Sequence, residues 1–218
     1  MLAILITKMK GFMYIFYWND PFVTKHLERD LRNGNIVLSS TDTVLGLMAC
    51  FSKEGLESLN ALKGRDLFRA NLVLVDSLQK ASQLIVIPSG SIIEKLAQCW
   101  PAPLTLIGKA CKGVDPSLCS STGTIGVRIP NHLGLLGVLK NFDALFSTSA
   151  NVHGESIPTH ILEIAPRIKE GVSCMVFDDP FKERYEAVSS TIVDCTGDSL
   201  KVIRHGLFDI DSFLLNWV

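Results

Sequence analysis

Two short polar triplets, far apart in the chain, carry residue types that could do chemistry: Lys63-Gly64-Arg65 and Ser149-Ala150-Asn151. In extended backbone residues i and i+2 point the same way, so each triplet can present two polar groups to one ligand. Two cations around a glycine suit phosphate, and a hydroxyl with an amide suits the neutral, hydrogen-bonding parts of a substrate. A plainer reading stands beside this one, in which Lys63 and Arg65 end a helix and Ser149 and Asn151 make a turn. More candidates lie where apolar runs turn polar. Thr41 and Thr43 flank Asp42 after the run Ile36-Val37-Leu38, and open α/β sheets tend to place ligands at such strand exits. Arg128 sits in the otherwise apolar stretch 124–129 and needs a partner. A carboxylate held by two parallel hydrogen bonds is the natural one, with a structural salt bridge as the alternative. Ser190 lies in a polar cluster entering the run Thr191-Ile192-Val193, and Arg204 follows Val202-Ile203 beside a permissive glycine, Gly206.

Several familiar sites are excluded. The chain has no Gly-x-x-x-x-Gly-Lys-Ser/Thr loop, no Gly-x-Gly-x-x-Gly fingerprint and no Gly-x-Ser-x-Gly elbow. A nucleotide would therefore have its phosphates held by cationic side chains. His153 lies near Ser149 but reads as a loop histidine, since no orienting acid accompanies it. The six cysteines form no Cys-x-x-Cys and have no histidine at zinc-ligand spacing, so they read as reduced core residues of a cytoplasmic protein. A formal charge of −1 gives no global argument for nucleic-acid or membrane binding, and leaves a local basic patch open. The apolar runs 2–6 and 12–18 are interrupted by Lys8 and Lys10. Neither approaches the roughly 20 residues of a membrane span, and a strand is expected there, with Met9 or Met13 as alternative natural starts.

The elements that must position these groups follow from periodicity. With 218 residues, 47% hydrophobic and 20% charged, the chain can bury one large core. Strand-length apolar runs alternate with helix-like segments, which predicts an α/β (α+β-like) fold: one domain, a large mixed sheet and flanking helices. Asp20-Pro21 is expected to open a helix with Phe22, Val23, Leu27 and Leu31 on its inner face, closed by Asn33-Gly34. A second helix is expected over 52–62 with Lys63 just past its end, a third over 91–98, and one over 132–140 weakened by Gly134 and Gly137. Strands are expected at 36–38, 72–75, 104–107, 124–129, 145–149, 175–177, 191–193 and 202–203. Residues 1–18 read as an extension or strand, 19–208 as the domain, and 209–218 as a tail.

In family order, the segments Ser40-Thr41-Asp42-Thr43-Val44-Leu45-Gly46-Leu47, Lys63-Gly64-Arg65, Trp100-Pro101-Ala102-Pro103-Leu104-Thr105, Thr124-Ile125-Gly126-Val127-Arg128-Ile129-Pro130, Ser147-Thr148-Ser149-Ala150-Asn151, Ser190-Thr191-Ile192-Val193-Asp194 and Ile203-Arg204-His205-Gly206 resemble the motifs of the YrdC family of threonylcarbamoyl-AMP synthases. The resemblance spans roughly residues 20–206. It implies a YrdC-like twisted sheet with an open, positively lined cavity. It also implies synthesis of threonylcarbamoyl-adenylate and pyrophosphate from L-threonine, bicarbonate or CO2, and ATP, for threonylcarbamoyladenosine in tRNA. By similarity Lys63, Arg65 and Arg204 would hold phosphates, with Lys63 and Arg65 catalytic. Thr124, Asn151 and Thr159 would contact ATP, and Thr41, Arg128, Ser149 and Ser190 would hold threonine. Magnesium would travel with ATP, with no protein-ligated metal. The implied partners are a threonylcarbamoyl-transfer enzyme complex and tRNA or double-stranded RNA, without a membrane. The alternatives are a non-catalytic paralogue that binds nucleotide or structured RNA, and a carbamoyl-transfer protein related to hydrogenase maturation factors. Three departures stand out: Ser39-Ser40 replace Tyr-Pro, Leu45 replaces a tyrosine, and Asp66 to Leu72 lack the prolines that normally follow Lys-Gly-Arg.

Overall fold

The apolar runs pair edge to edge. The computed structural model describes residues 4–8, 11–65, 72–182 and 184–216. Its strands are β1 (Ile4–Lys8), β2 (Gly11–Tyr17), β3 (Val37–Ser39), β4 (Gly46–Cys50), β5 (Leu72–Leu74), β6 (Leu104–Lys109), β7 (Thr124–Arg128), β8 (Leu145–Ser149), β9 (Cys174–Phe177), β10 (Thr191–Asp194) and β11 (Lys201–Arg204). They form one sheet in the order β1-β2-β9-β3-β4-β8-β5-β7-β6-β10-β11. The pairs β2/β9, β3/β9, β5/β7 and β6/β10 are parallel, and the remainder are antiparallel, so the sheet is mixed, as the alternation of elements predicts. Around it lie α1 (Val23–Arg32), α2 (Lys53–Lys63), α3 (Leu78–Leu84), α4 (Ile92–Ala97), α5 (Leu133–Leu139), α6 (Pro166–Gly171) and α7 (Ile210–Leu215). Among the described residues no helix is long and apolar enough to cross a membrane.

Local chemistry sets several of these boundaries. The hydroxyls of Ser52, Ser77 and Ser91 accept hydrogen bonds from the amides of Gly55, Lys80 and Glu94, opening α2, α3 and α4. Gly64 ends α2 at φ +64°, a left-handed conformation that costs a glycine nothing sterically. Residues 20–22 depart from expectation. The Asp20 carboxylate accepts from the amide of Phe22 at 2.8 Å, making a turn of its own. The helix therefore starts at Val23, and Phe22 stays exposed. Residues 1–18 contribute a pair of strands, with β2 hydrogen-bonded to β9 inside the sheet. The stretch read as a tail, 209–218, contains α7; Asp209 caps it and Ile210 is buried. The expected weakness of Gly134 has a packing reason. A Cβ there would lie 2.3 Å from the Trp18 ring, so its absence lets the indole lie on α5.

Side chains alternate across a sheet, and the two faces are covered unequally. On one face Leu38, Leu47, Val73, Leu106, Val127, Phe146 and Val193 join Leu56 and Leu59 of α2, Leu96 of α4, Ile168 of α6 and Ile210 of α7. On the other, Phe16, Val37, Met48, Leu74, Leu145 and Val176 pack under Val23, Leu27 and Leu31 of α1 and Leu135, Val138 and Leu139 of α5. Each such leucine, fully buried, contributes about 1.5–3 kcal/mol. Among the described residues this second cluster takes no member from β6, β7, β10 or β11. On those strands the alternate positions are Thr105, Gly126, Arg128 and Ile192 instead. Among the described residues, the part of this sheet face formed by β6, β7, β10 and β11 is thus left without apolar helical cover.

Candidate active site

A cavity opens on that part of the face. It is lined by Thr41, Thr43, Val44, Gly46, Arg65, Leu72, Thr105, Arg128, Ser147, Thr148, Ser149, Ser189, Ser190, Ile192 and Arg204. Six of the ten residues singled out from sequence meet there: Thr41, Arg65, Arg128, Ser149, Ser190 and Arg204. They come from the β3–β4 loop, the end of α2 and the strands β7, β8 and β11, with Ser190 just before β10. The parity of the strands turns Arg128 and Ser149 to the same side, opposite Val127 and Phe146 in the core.

Arg128 is 2% exposed. Its Nη1 donates to Thr43 Oγ1 at 3.0 Å, and its Nη2 lies 3.3 Å from Asp42 Oδ1. Asp42 Oδ2 accepts from the amide of Asn131 at 2.9 Å, which fixes the carboxylate. The guanidinium therefore makes the structural salt bridge named above as the alternative, while still bordering the cavity. Burial lowers its pKa, Asp42 opposes that, and Arg204 adds to it; an arginine remains charged nonetheless. The Thr41 hydroxyl donates to Val44 O at 2.7 Å and accepts from the Thr43 amide at 3.0 Å, holding this loop in shape. Across the cavity Arg204 donates through Nε to Ser190 O at 3.0 Å and through Nη2 to Ser190 Oγ at 3.3 Å. Ser190 Oγ is also 2.9 Å from Thr105 Oγ1.

The two triplets behave differently from each other. Lys63 is the last residue of α2 and Gly64 is left-handed, so Lys63-Gly64-Arg65 is not extended and its two cations diverge. Arg65 turns to the cavity, its Nε donating to Asn60 Oδ1 at 2.5 Å. Lys63 turns inward. Its ammonium donates to Ser149 O at 2.6 Å, Asn151 O at 2.7 Å and Asn151 Oδ1 at 3.2 Å, which engages all three of its protons. Burial, and secondarily Arg65, pull its pKa down to about 8. In this geometry the Lys63 ammonium clamps Ser149 and Asn151 from behind the cavity wall, and Lys63 is not among the residues that line the cavity. Ser149 and Asn151 do share a side: Ser149 Oγ donates to Asn151 Oδ1 at 2.5 Å, and Asn151 Nδ2 donates to Glu155 O at 2.7 Å.

Thr124 and Thr159 lie elsewhere. Thr124 is at the opposite end of β7 from Arg128, roughly 13 Å away at strand rise. It is bonded to Ser120 and borders a separate depression with Lys109 and Asp194. Thr159 donates to Glu163 Oε2 at 3.0 Å and helps brace the short 3-10 turn Ile161–Glu163. The replaced loop after Arg65, 66–71, lies outside the described residues.

Other participants escaped the sequence reading. Asn60 is 1% exposed and holds Arg65; a buried amide at an inward position of α2 was its available signal. Asp178 gathers Ser40 Oγ at 2.7 Å, His132 Nε2 at 3.1 Å and Lys182 Nζ at 2.7 Å. Burial alone would raise its carboxyl pKa. The bonds from His132, Lys182 and Ser40 outweigh burial and hold it well below the usual carboxylate range. This network ties the ends of β3 and β9 to the start of α5, next to Asn131 and hence to Asp42. Its members are spread over 142 residues with no common motif, and only folding joins them.

A family model described as Telomere recombination, Sua5/YciO/YrdC, matches residues 29–206. A putative threonylcarbamoyl-AMP synthase of Mycobacterium tuberculosis is 27% identical over 177 residues, covering 81% of this chain and 80% of its own length. The structure of P. abyssi Sua5 complexed with L-threonine superposes with a TM-score of 0.77 at 25% identity, over 87% of this chain and 56% of that one. This chain thus spans little more than half of that longer protein. E. coli YciO shares the fold, with a TM-score of 0.78 at 19% identity over 92% and 99% of the two chains.

Proposed function

The chain belongs to the Sua5/YciO/YrdC family, and from that premise we propose that it is a threonylcarbamoyl-AMP synthase. It joins L-threonine, bicarbonate or CO2, and ATP into threonylcarbamoyl-adenylate, releasing pyrophosphate. The observation that supports this most is the convergence of Arg65, Arg128 and Arg204, from three distant motifs, on one hydroxyl-lined cavity. The substrates are anionic at the carboxylate, the carbamate and the phosphates, and three fixed guanidinium groups match that pattern.

Charge builds on phosphate oxygens and on the departing pyrophosphate as the carbamate oxygen attacks the α-phosphate, so preorganised cations facing the cavity lower the barrier most. We assign Arg65 and Arg204 to the phosphates, each steadied by its own partner, Asn60 and Ser190. Arg128, set by Asp42 and Thr43, receives the threonine carboxylate, and Ser149 and Ser190 border the same pocket. Lys63 keeps Ser149 and Asn151 in place, so its effect on rate passes through them. Magnesium would enter with the ATP, held chiefly by the phosphate oxygens. The product would pass, in the cytoplasm, to a threonylcarbamoyl-transfer complex acting on tRNA.

The test is direct. Purified protein is given ATP, bicarbonate and L-threonine, and pyrophosphate is followed. Threonine-dependent release is expected, and Arg65→Ala should abolish it. ATP binding with no threonine-dependent release would refute the synthase and favour a nucleotide-binding paralogue.

A further inference from the structure

We propose that Asp178 is a positioning residue for the amino-acid half of the cavity, bracketing the two segments that set the Asp42–Arg128 pair. The inference rests on the synthase reading above and deepens it, by separating what orients threonine from what binds ATP. Thr41 and Thr43 line the cavity, whereas Ser40 and Asp42, which alternate with them, do not. Those two side chains reach back out of the site. Asp42 Oδ2 accepts from the Asn131 amide at 2.9 Å, and the Ser40 hydroxyl donates to Asp178 Oδ1 at 2.7 Å. The same carboxylate oxygen is 3.1 Å from Nε2 of His132, the chain neighbour of Asn131. Nδ1 of that ring accepts from the Leu135 amide at 3.2 Å, so Nε2 carries the proton and donates to Asp178.

These contacts close a ring. It runs from Ser40 through Asp178 to His132, along the backbone to Asn131, across to Asp42 and back through Thr41. One oxygen thereby sets how far residues 40–42 stand from residues 131–132, and with it where Asp42 meets Arg128. Trp18 supports both arms: its Nε1 donates to Ser40 Oγ at 3.0 Å, and its ring centroid lies 5.1 Å from that of His132. Lys182 holds only the second carboxylate oxygen, at 2.7 Å. Asp178, His132, Trp18 and Lys182 do not border the cavity, so their effect on a substrate must pass through the loop and Arg128. Arg65 is held by Asn60 and Arg204 by Ser190, outside the ring, so the phosphate half is left alone. Loosening the ring lowers apparent threonine affinity by the fraction of molecules in which the loop stays aligned.

Calorimetric titrations of L-threonine and of ATP compare wild type with Asp178→Ala, Asp178→Asn, Ser40→Ala and Lys182→Ala, each with its thermal midpoint. Asp178→Ala should weaken threonine binding about tenfold, equivalent to an aligned loop in about a tenth of the molecules, with ATP affinity unchanged. Asp178→Asn keeps an oxygen for both arms, at about half the bond strength, and should restore threonine affinity to within about threefold of wild type. Ser40→Ala cuts one arm and should fall between; it decides the matter if Asp178→Ala does not fold. Lys182→Ala should bind threonine as wild type does. A purely structural role would lower midpoints without separating threonine from ATP, so equal losses for both ligands overturn the inference. Wild-type threonine affinity in Asp178→Ala, or in Ser40→Ala where the former does not fold, overturns it too. Asp178→Asn or Lys182→Ala binding threonine as weakly as Asp178→Ala would assign the effect to charge and also overturn it. If wild type binds ATP but no threonine, the synthase reading itself fails and this inference falls with it.

Discussion

Asp42→Asn isolates the buried ion pair that borders the cavity. The substitution preserves size and still offers an oxygen to the Asn131 amide, so the loss is mainly the charge facing Arg128. The two side chains are 6% and 3% exposed, and the closest approach is 3.3 Å. Removing one partner of such a pair typically costs 3–5 kcal/mol, since the remaining charge is stranded. Two features move the expectation to the lower end, about 3 kcal/mol: Asp42 Oδ1 and Arg128 Nε lack good hydrogen-bond geometry, and water in the cavity can reach the guanidinium. For a chain of 218 residues that corresponds to a fall of about 6–12 °C in midpoint. The assay is thermal and urea unfolding of Asp42→Asn, Arg128→Met and the double variant. The double variant should be more stable than the sum of the singles predicts, because it has neither charge to strand. L-Threonine should stabilise Asp42→Asn more than wild type, its carboxylate replacing the lost partner. An Asp42→Asn midpoint within about 1 °C of wild type, or strict additivity, would refute the pairing as the force that sets Arg128.

Two further outcomes concern pH. Lys63→Met removes three hydrogen bonds at the end of α2 and should lower stability at pH 7. The folded amine has a pKa near 8 against an ordinary 10.5, so the unfolded chain binds more protons between those values and wild-type stability rises with pH across that window. The gap between wild type and Lys63→Met should therefore widen by up to about 3 kcal/mol from pH 8 to 10.5; a constant gap in urea titrations would refute it. Asp178 is the opposite case. Its folded pKa is depressed below an ordinary 3.8, so its contribution is complete above that value and is lost as pH falls further. Acid unfolding of wild type should steepen below pH 3.8, and Asp178→Asn should lack that component when both are followed by circular dichroism.

The sequence by itself determined most of the elements, though not β4, α3, α6 or α7, and most of the cast. Apolar runs of strand length become strands because only pairing satisfies their backbones while burying both faces, and the serines before α2, α3 and α4 cap them wherever they lie in the fold. Arg128 and Arg204 were legible because an arginine beside apolar strand residues must have a reason, and Arg65 because it shares a two-cation triplet with Lys63. Tertiary structure decided what each polar group does. The left-handed Gly64 turned Lys63 inward and Arg65 outward, which the spacing of the triplet could not show. Asp42 and Arg128 are 86 residues apart, and their pairing follows from the order of β4, β8, β5 and β7 in the sheet. A side chain's own chemistry fixes what it can bind, and the direction in which the backbone aims it, with the neighbours that reach it first, fixes what it does.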